Sequence, residues 1–171
     1  EQDIQDAIDV LFNHPNVGPF LSYRLIQRLV TSNPTPAYVE RVTNVFNDNG
    51  SGVRGDLKAV VRAILMDPEA RRENLENPYQ GKLKEPFLRY INLVKGLNLS
   101  SSSGRYRNRM TEVLGQTEQL PLTSPSVFNF YLPDYQPDNQ FIADQKVGPE
   151  FQLLNSQTIT GYLNALKEWL I

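Results

Sequence analysis

The chain has 171 residues, 40% hydrophobic and 21% charged, enough for one ordinary globular domain with a real core and short for two. Its 17 basic and 19 acidic side chains leave no overall field to draw in nucleic acid or an anionic membrane, so any partner has to be chosen locally. The absence of cysteine excludes disulfides, thiolate nucleophiles and cysteine-rich zinc or iron–sulfur sites, and no apolar run approaches the roughly 18–20 residues of a spanning helix.

Ile4, Ala7, Ile8, Leu11 and Phe12 fall on one helical face, with Asp3, Asp6 and Asp9 elsewhere on the turn, which predicts a first helix over about 3–13, ended by His14-Pro15. The only histidine, His14, reads as a helix-end residue meeting terminal carbonyls rather than as a catalytic base. Pro19 suits the first turn of a second helix carrying Phe20, Leu21, Leu25, Ile26, Leu29 and Val30, and Pro36 opens a third through Val39, Val42, Val45 and Phe46. Asp56 is placed to cap a fourth helix, whose Leu57, Val60, Val61, Ile64 and Leu65 form the cleanest apolar stripe in the chain. Asp67-Pro68 repeats the cap-plus-proline signal.

Between the third and fourth helices lies Asn47-Asp48-Asn49-Gly50-Ser51-Gly52-Val53-Arg54-Gly55-Asp56. Its glycines have the spacing of a dinucleotide fingerprint, but the segment before them reads as helix where that fingerprint needs a strand. Counted from Asn47, the residues Asn47, Asn49, Ser51 and Gly52 follow the first half of a calcium loop, yet Lys58 stands where the bidentate Glu belongs. Asn47, Asp48, Asn49, Ser51, Arg54 and Asp56 therefore have a weak cation or anion potential. The preferred reading is a tight connection in which glycines take positive φ and Asp48, Asn49 and Ser51 bond the local backbone.

After a polar stretch from Arg71 to Gln80, residues about 83–97 carry Phe87, Tyr90, Ile91, Val94 and Leu97 at helical spacing, with Pro86 in the first turn and Glu85 and Arg89 spaced to pair. The serine-rich 98–104 reads as a connector, and a shorter helix with Met110, Val113 and Leu114 follows. Arg105, Arg107 and Arg109 with Tyr106 form a small basic, aromatic patch, read as a solvated helix face in preference to a nucleic-acid contact. From 116 to 148 no helical or strand period emerges. This stretch is rich in proline and aromatics, and reads as a strap over a helical core. Within it Asn129, Tyr131, Asp134, Tyr135 and Asp138 combine aromatic faces with carboxylates, the chemistry that holds a sugar or a partner loop. A last helix is expected from Pro149, presenting Phe151, Leu154, Thr158, Tyr162, Ala165, Leu166 and Trp169.

The wording of several stretches resembles the C-terminal part of the bacterial family called domain of unknown function 1800: His14 to Phe20, Leu25 to Val30, Phe46 to Ile64, Gly81 to Pro86, Ser124 to Phe130 and Pro149 to Asn155. The resemblance spans nearly the whole chain in order. It brings no established activity and no catalytic residues. It implies a larger parent of several hundred residues, often exported and often encoded beside a second uncharacterised family thought to be sulfatase-like. Glu1, with no initiator Met, and the apolar end Trp169-Leu170-Ile171 agree with a piece of something longer.

The expected object is a single all-α domain over 1–171, with six or seven helices, a long irregular strap and a C-terminal helix. No nucleophile motif, metal constellation or cofactor loop is complete. The expected role is thus a non-catalytic interaction or scaffold module of an exported, periplasmic or extracellular bacterial protein. Its partner would be another protein or the N-terminal part of the same one, with a glycan as a further candidate and with no nucleic acid and no membrane insertion. The rival is part of an enzyme whose site needs residues outside this chain.

Overall fold

The computed structural model describes residues 2–71, 77–98, 102–104 and 110–170, with backbone alone at 110, 169 and 170. The basic patch at 105–109 and part of the serine connector lie outside these residues. Among the described residues the chain is all-α, with no strand and one isolated bridge between Ser126 and Asn129. Its contacts group into two compact units, Glu1–Lys82 and Leu83–Ile171.

Unit 1 holds α1 (Gln2–Asn13), α2 (Val17–Leu29), α3 (Pro36–Asn47), α4 (Leu57–Met66) and the single turn α5 (Pro68–Arg71). Tyr38, Val42 and Phe46 recur every fourth residue along α3 and bury against Ile26 of α2 and Val60 and Ile64 of α4. Burial of such side chains contributes roughly 1.5–3 kcal/mol each. The Tyr38 hydroxyl reaches the core with a partner, donating to the Ile64 carbonyl at 2.6 Å. Burial raises its pKa further above the ordinary tyrosine value.

Three expected stripes are narrower than their sequence pattern. In α4 only Val60 and Ile64 are buried, while Leu57 and Leu65 are exposed; in α2 Phe20 and Leu29 are exposed and Ser22 and Gln27 lie inside. Gln27 is admitted because its amide donates to the Ser32 carbonyl and accepts from Arg24. Helix α1 buries nothing, its anchorage coming from the C-terminal end. There Phe12 packs beside Phe46, with ring centres 6.1 Å apart, and Arg54 donates to the carbonyls of Phe12 and His14. The His14 ring departs from expectation, Nδ1 accepting from the Asn16 N–H.

Unit 2 holds α6 (Pro86–Gly96), α7 (Met110–Gly115), α8 (Asn139–Ala143), a 3-10 helix (Pro149–Leu153) and α9 (Ser156–Leu170). Tyr90, Val113 and Leu114 form its core, joined by Phe87, Ile91, Val94, Leu120, Tyr162 and Ala165. Helix α6 begins at Pro86, later than the expected 83, since proline with its fixed φ starts a helix at this first position. The expected last helix is in fact two. Asn155 and Thr158 form a reciprocal cap, Thr158 N–H donating to Asn155 Oδ1 at 2.9 Å and Asn155 N–H to Thr158 Oγ1 at 3.0 Å, so α9 starts afresh at Ser156.

Candidate functional site

The strap between α7 and α9 is stitched to unit 2 by side chains far apart in sequence. Gln119 accepts from the Phe87 N–H at 2.8 Å and donates to Glu85 Oε2 at 2.9 Å; the Tyr131 hydroxyl donates to the same oxygen at 2.7 Å. Glu85, expected beside Arg89, thus anchors the strap, and the Arg89 guanidinium lies over the Tyr162 ring at 5.0 Å. Farther on, Leu132 N–H donates to Gln152, Gln136 donates to the Lys146 carbonyl, and Gly148 N–H donates to the Tyr135 carbonyl.

These bonds place the five candidate residues of the strap in separate tasks. Tyr131 is buried and bonded to Glu85. Asp138 caps α8, a short helix absent from the expected irregular stretch, by accepting from the N–H groups of Gln140 and Phe141. Asn129 sits at φ 77° in the turn closed on Ser126. The Tyr135 N–H donates to the Leu132 carbonyl, and Asp134 is exposed.

What faces water instead is a set of apolar side chains that sequence reasoning passed over. Across 121–129 the exposed hydroxyls bond their own backbone: Thr123 Oγ1 donates to the Leu120 carbonyl, Ser124 Oγ to the Ser126 carbonyl, and Ser126 Oγ accepts from the Phe128 N–H. The apolar groups turn outward, Leu122 being fully exposed, Val127 95% and Phe128 63%. Leu122 holds φ 67°, a region that costs a bulky side chain of order 1–3 kcal/mol. No charged residue occurs from Gln119 to Pro133, so the exposed knob has no charged neighbours in its own segment. The outward direction depends on which polar atoms close the turn, and composition alone carries no such signal.

In unit 1 the Asn47–Asp56 loop is a self-bonded connection. Asp48 Oδ1 accepts from the N–H groups of Gly50 and Gly52, and Asn49 Oδ1 accepts from Ser51 and Val53. Asn49 also donates to Asp56 Oδ2 at 2.8 Å, and Asp56 Oδ1 caps α4 by accepting from Lys58 and Ala59. The Gly52 and Gly50 N–H groups hold the Asp48 carboxyl below its ordinary pKa; Asn49, then the Ala59 and Lys58 N–H groups, do the same for Asp56. Gly50, Gly52 and Gly55 all have positive φ. Arg54 is engaged by Asn47 and by the carbonyls that end α1, and stacks on Phe46 at 4.9 Å. The atoms a cation or anion would need are largely committed to this turn.

A concavity in unit 1, of about 590 Å³, is lined by Thr31, Asn33, Thr35, Arg41, Glu69 and Gln80 among others. The Arg41 guanidinium on its wall is met by Asp67 and approached by Glu69 at 4.0 Å. None of the expected site residues lines it. Among the described residues no three acidic or histidine side chains gather as they would around a metal, and no helix is long and apolar enough to cross a membrane.

With this geometry in view, a family model described as protein of unknown function (DUF1800) matches residues 1–171. No curated protein and no solved structure matches the chain.

Proposed function

We infer the role from the molecule's surfaces, since the chain belongs to the DUF1800 family of proteins of unknown function, and propose that it is a non-catalytic interaction module whose unit 2 docks another protein through the 121–129 knob. The observation that carries this is the bare apolar surface of that turn. Its hydroxyls bond its own backbone while Leu122, Val127 and Phe128 stand in water. An uncharged, exposed apolar patch is a liability unless a partner covers it. Aromatic side chains, phenylalanine among them, are enriched at protein–protein interfaces. The family resemblance supports placing the module in an exported bacterial protein.

The test is photocrosslinking from a benzophenone amino acid at position 128, in cells that make the protein natively, with position 138 as control. A discrete protein adduct specific to position 128 is expected, together with recovery from the periplasmic or extracellular fraction. Lipid adducts alone, or no adduct above the control, contradict docking to a protein. Recovery from the cytoplasm contradicts export.

A further inference from the structure

We propose that α1 in unit 1 is a second docking element, built to lie in an apolar protein groove whose rims carry lysine or arginine. The helix has a full apolar face, and that face is bare. Ile4 is 66%, Ile8 52% and Leu11 69% exposed, at the i, i+4, i+7 spacing that puts them in one row. Phe12, at the end of the row, is turned to a different use, packed on Phe46 and under the Arg54 guanidinium. The helix is thus held at its C-terminal end, with its apolar row facing solvent.

Charge selects the occupant. Asp3, Asp6 and Asp9 are the only charged side chains from Gln2 to Asn13, and no lysine or arginine occurs before Arg24. Gln2 donates to Asp6 at 2.7 Å and Gln5 to Asp9 at 3.0 Å, bonds that orient the two carboxylates without neutralising them. Asp3 and Gln5 flank the row, with Asp9 beyond Gln5 and Asp6 on the opposite face. A groove that wraps the helix brings one rim against Asp3 and the other toward Asp9, so basic rims complement them and acidic rims are repelled. A second copy of the chain is disfavoured for the same reason, because row against row sets carboxylates beside carboxylates. An anionic membrane surface repels the helix likewise. The recognition mode is an amphipathic helix in a groove.

Two labelled synthetic two-helix hairpin peptides that share one leucine-lined groove between their helices, bearing lysine along the groove rims in one and glutamate in the other, test this against the full chain by fluorescence anisotropy. The lysine peptide is expected to bind at least about tenfold more tightly, or ~1.4 kcal/mol, to shift amide resonances in α1, and to weaken as salt rises. Both the row variant Ile4→Ser/Ile8→Ser/Leu11→Ser and the charge variant Asp3→Asn/Asp6→Asn/Asp9→Asn should lose that preference. All these side chains are exposed, and circular dichroism confirms that the variants fold. Equal affinity for the two peptides, undiminished binding by the row variant, or no binding of the lysine peptide overturns the proposal. So does self-association that the row variant abolishes, which would make a second copy the occupant, or binding to phosphatidylglycerol vesicles.

Discussion

Arg41 grips Asp67 with two parallel bonds, Nε to Oδ2 at 2.7 Å and Nη2 to Oδ1 at 2.8 Å, joining the middle of α3 to the residue between α4 and α5. Asp67 is buried and Arg41 half exposed, and Asp67 also accepts from the Glu69 N–H, so one carboxylate closes three local geometries. Arg41 holds the Asp67 carboxyl below its ordinary pKa, against the opposing effect of burial. Because the folded value lies below the unfolded one, the stabilisation is full above about pH 4 and is lost as pH falls through the folded value. Urea unfolding of the wild type should weaken on acidification below about pH 4, and Asp67→Asn should flatten that part of the profile. Arg41→Ala should cost about 1–3 kcal/mol at neutral pH, the figure for a hydrogen bond to a charged group; an unchanged midpoint would mean that the pair is incidental.

Asp56→Asn should not behave as a conservative cap replacement. Asparagine caps helices as well as aspartate does, but Asp56 Oδ2 accepts from the Asn49 amide. Placing an amide there sets donor against donor, and turning Asn49 round forfeits its bonds to Ser51 and Val53. Asp56→Asn should lower the thermal midpoint, and the loss should shrink in an Asn49→Ala background. A double-mutant cycle with no coupling contradicts the arrangement.

Gly55 and Gly50 separate two reasons for glycine in the same loop. Both have positive φ, but a Cβ at Gly50 meets nothing within 4 Å, whereas one at Gly55 stands 2.6 Å from the Phe12 ring. Gly50→Ala should cost roughly 1–2 kcal/mol for the backbone alone, and Gly55→Ala roughly 1–3 kcal/mol more from crowding. Denaturant unfolding of the two variants checks the difference, and equal costs would remove Phe12 from its place against the loop.

The cap at Asp56, the start at Pro36 and the first-turn place of Pro86 were legible in the sequence because each signal is local: one residue type at one position before an apolar run. The reciprocal Asn155–Thr158 cap is equally local, but the apolar period runs on from Phe151 to Leu154 and hid the break. Burial was less legible. Leu57, Leu65 and the whole row of α1 match a core pattern, and only contact with other helices decides which side of a stripe is covered. At the strap, the place of Tyr131 turns on Glu85, which lies 46 residues away in sequence. No periodicity carries that distance.

Tyr131→Phe should therefore loosen the strap while leaving its apolar packing in place. Losing a buried bond to a carboxylate should cost about 1–3 kcal/mol in equilibrium unfolding, with faster amide exchange across 117–135. A neutral effect would mean that the strap is held without Glu85.

Whether the knob serves a partner or the fold is decided by the stability and partner capture of Val127→Ser/Phe128→Ser, compared with wild type. The stability should stay within about 0.5 kcal/mol of wild type, as for exposed positions, with the position-specific adduct lost when the crosslinker is carried at the neighbouring residue 126. A clear loss of stability would make these side chains part of the core, and undiminished capture would place the docking surface elsewhere.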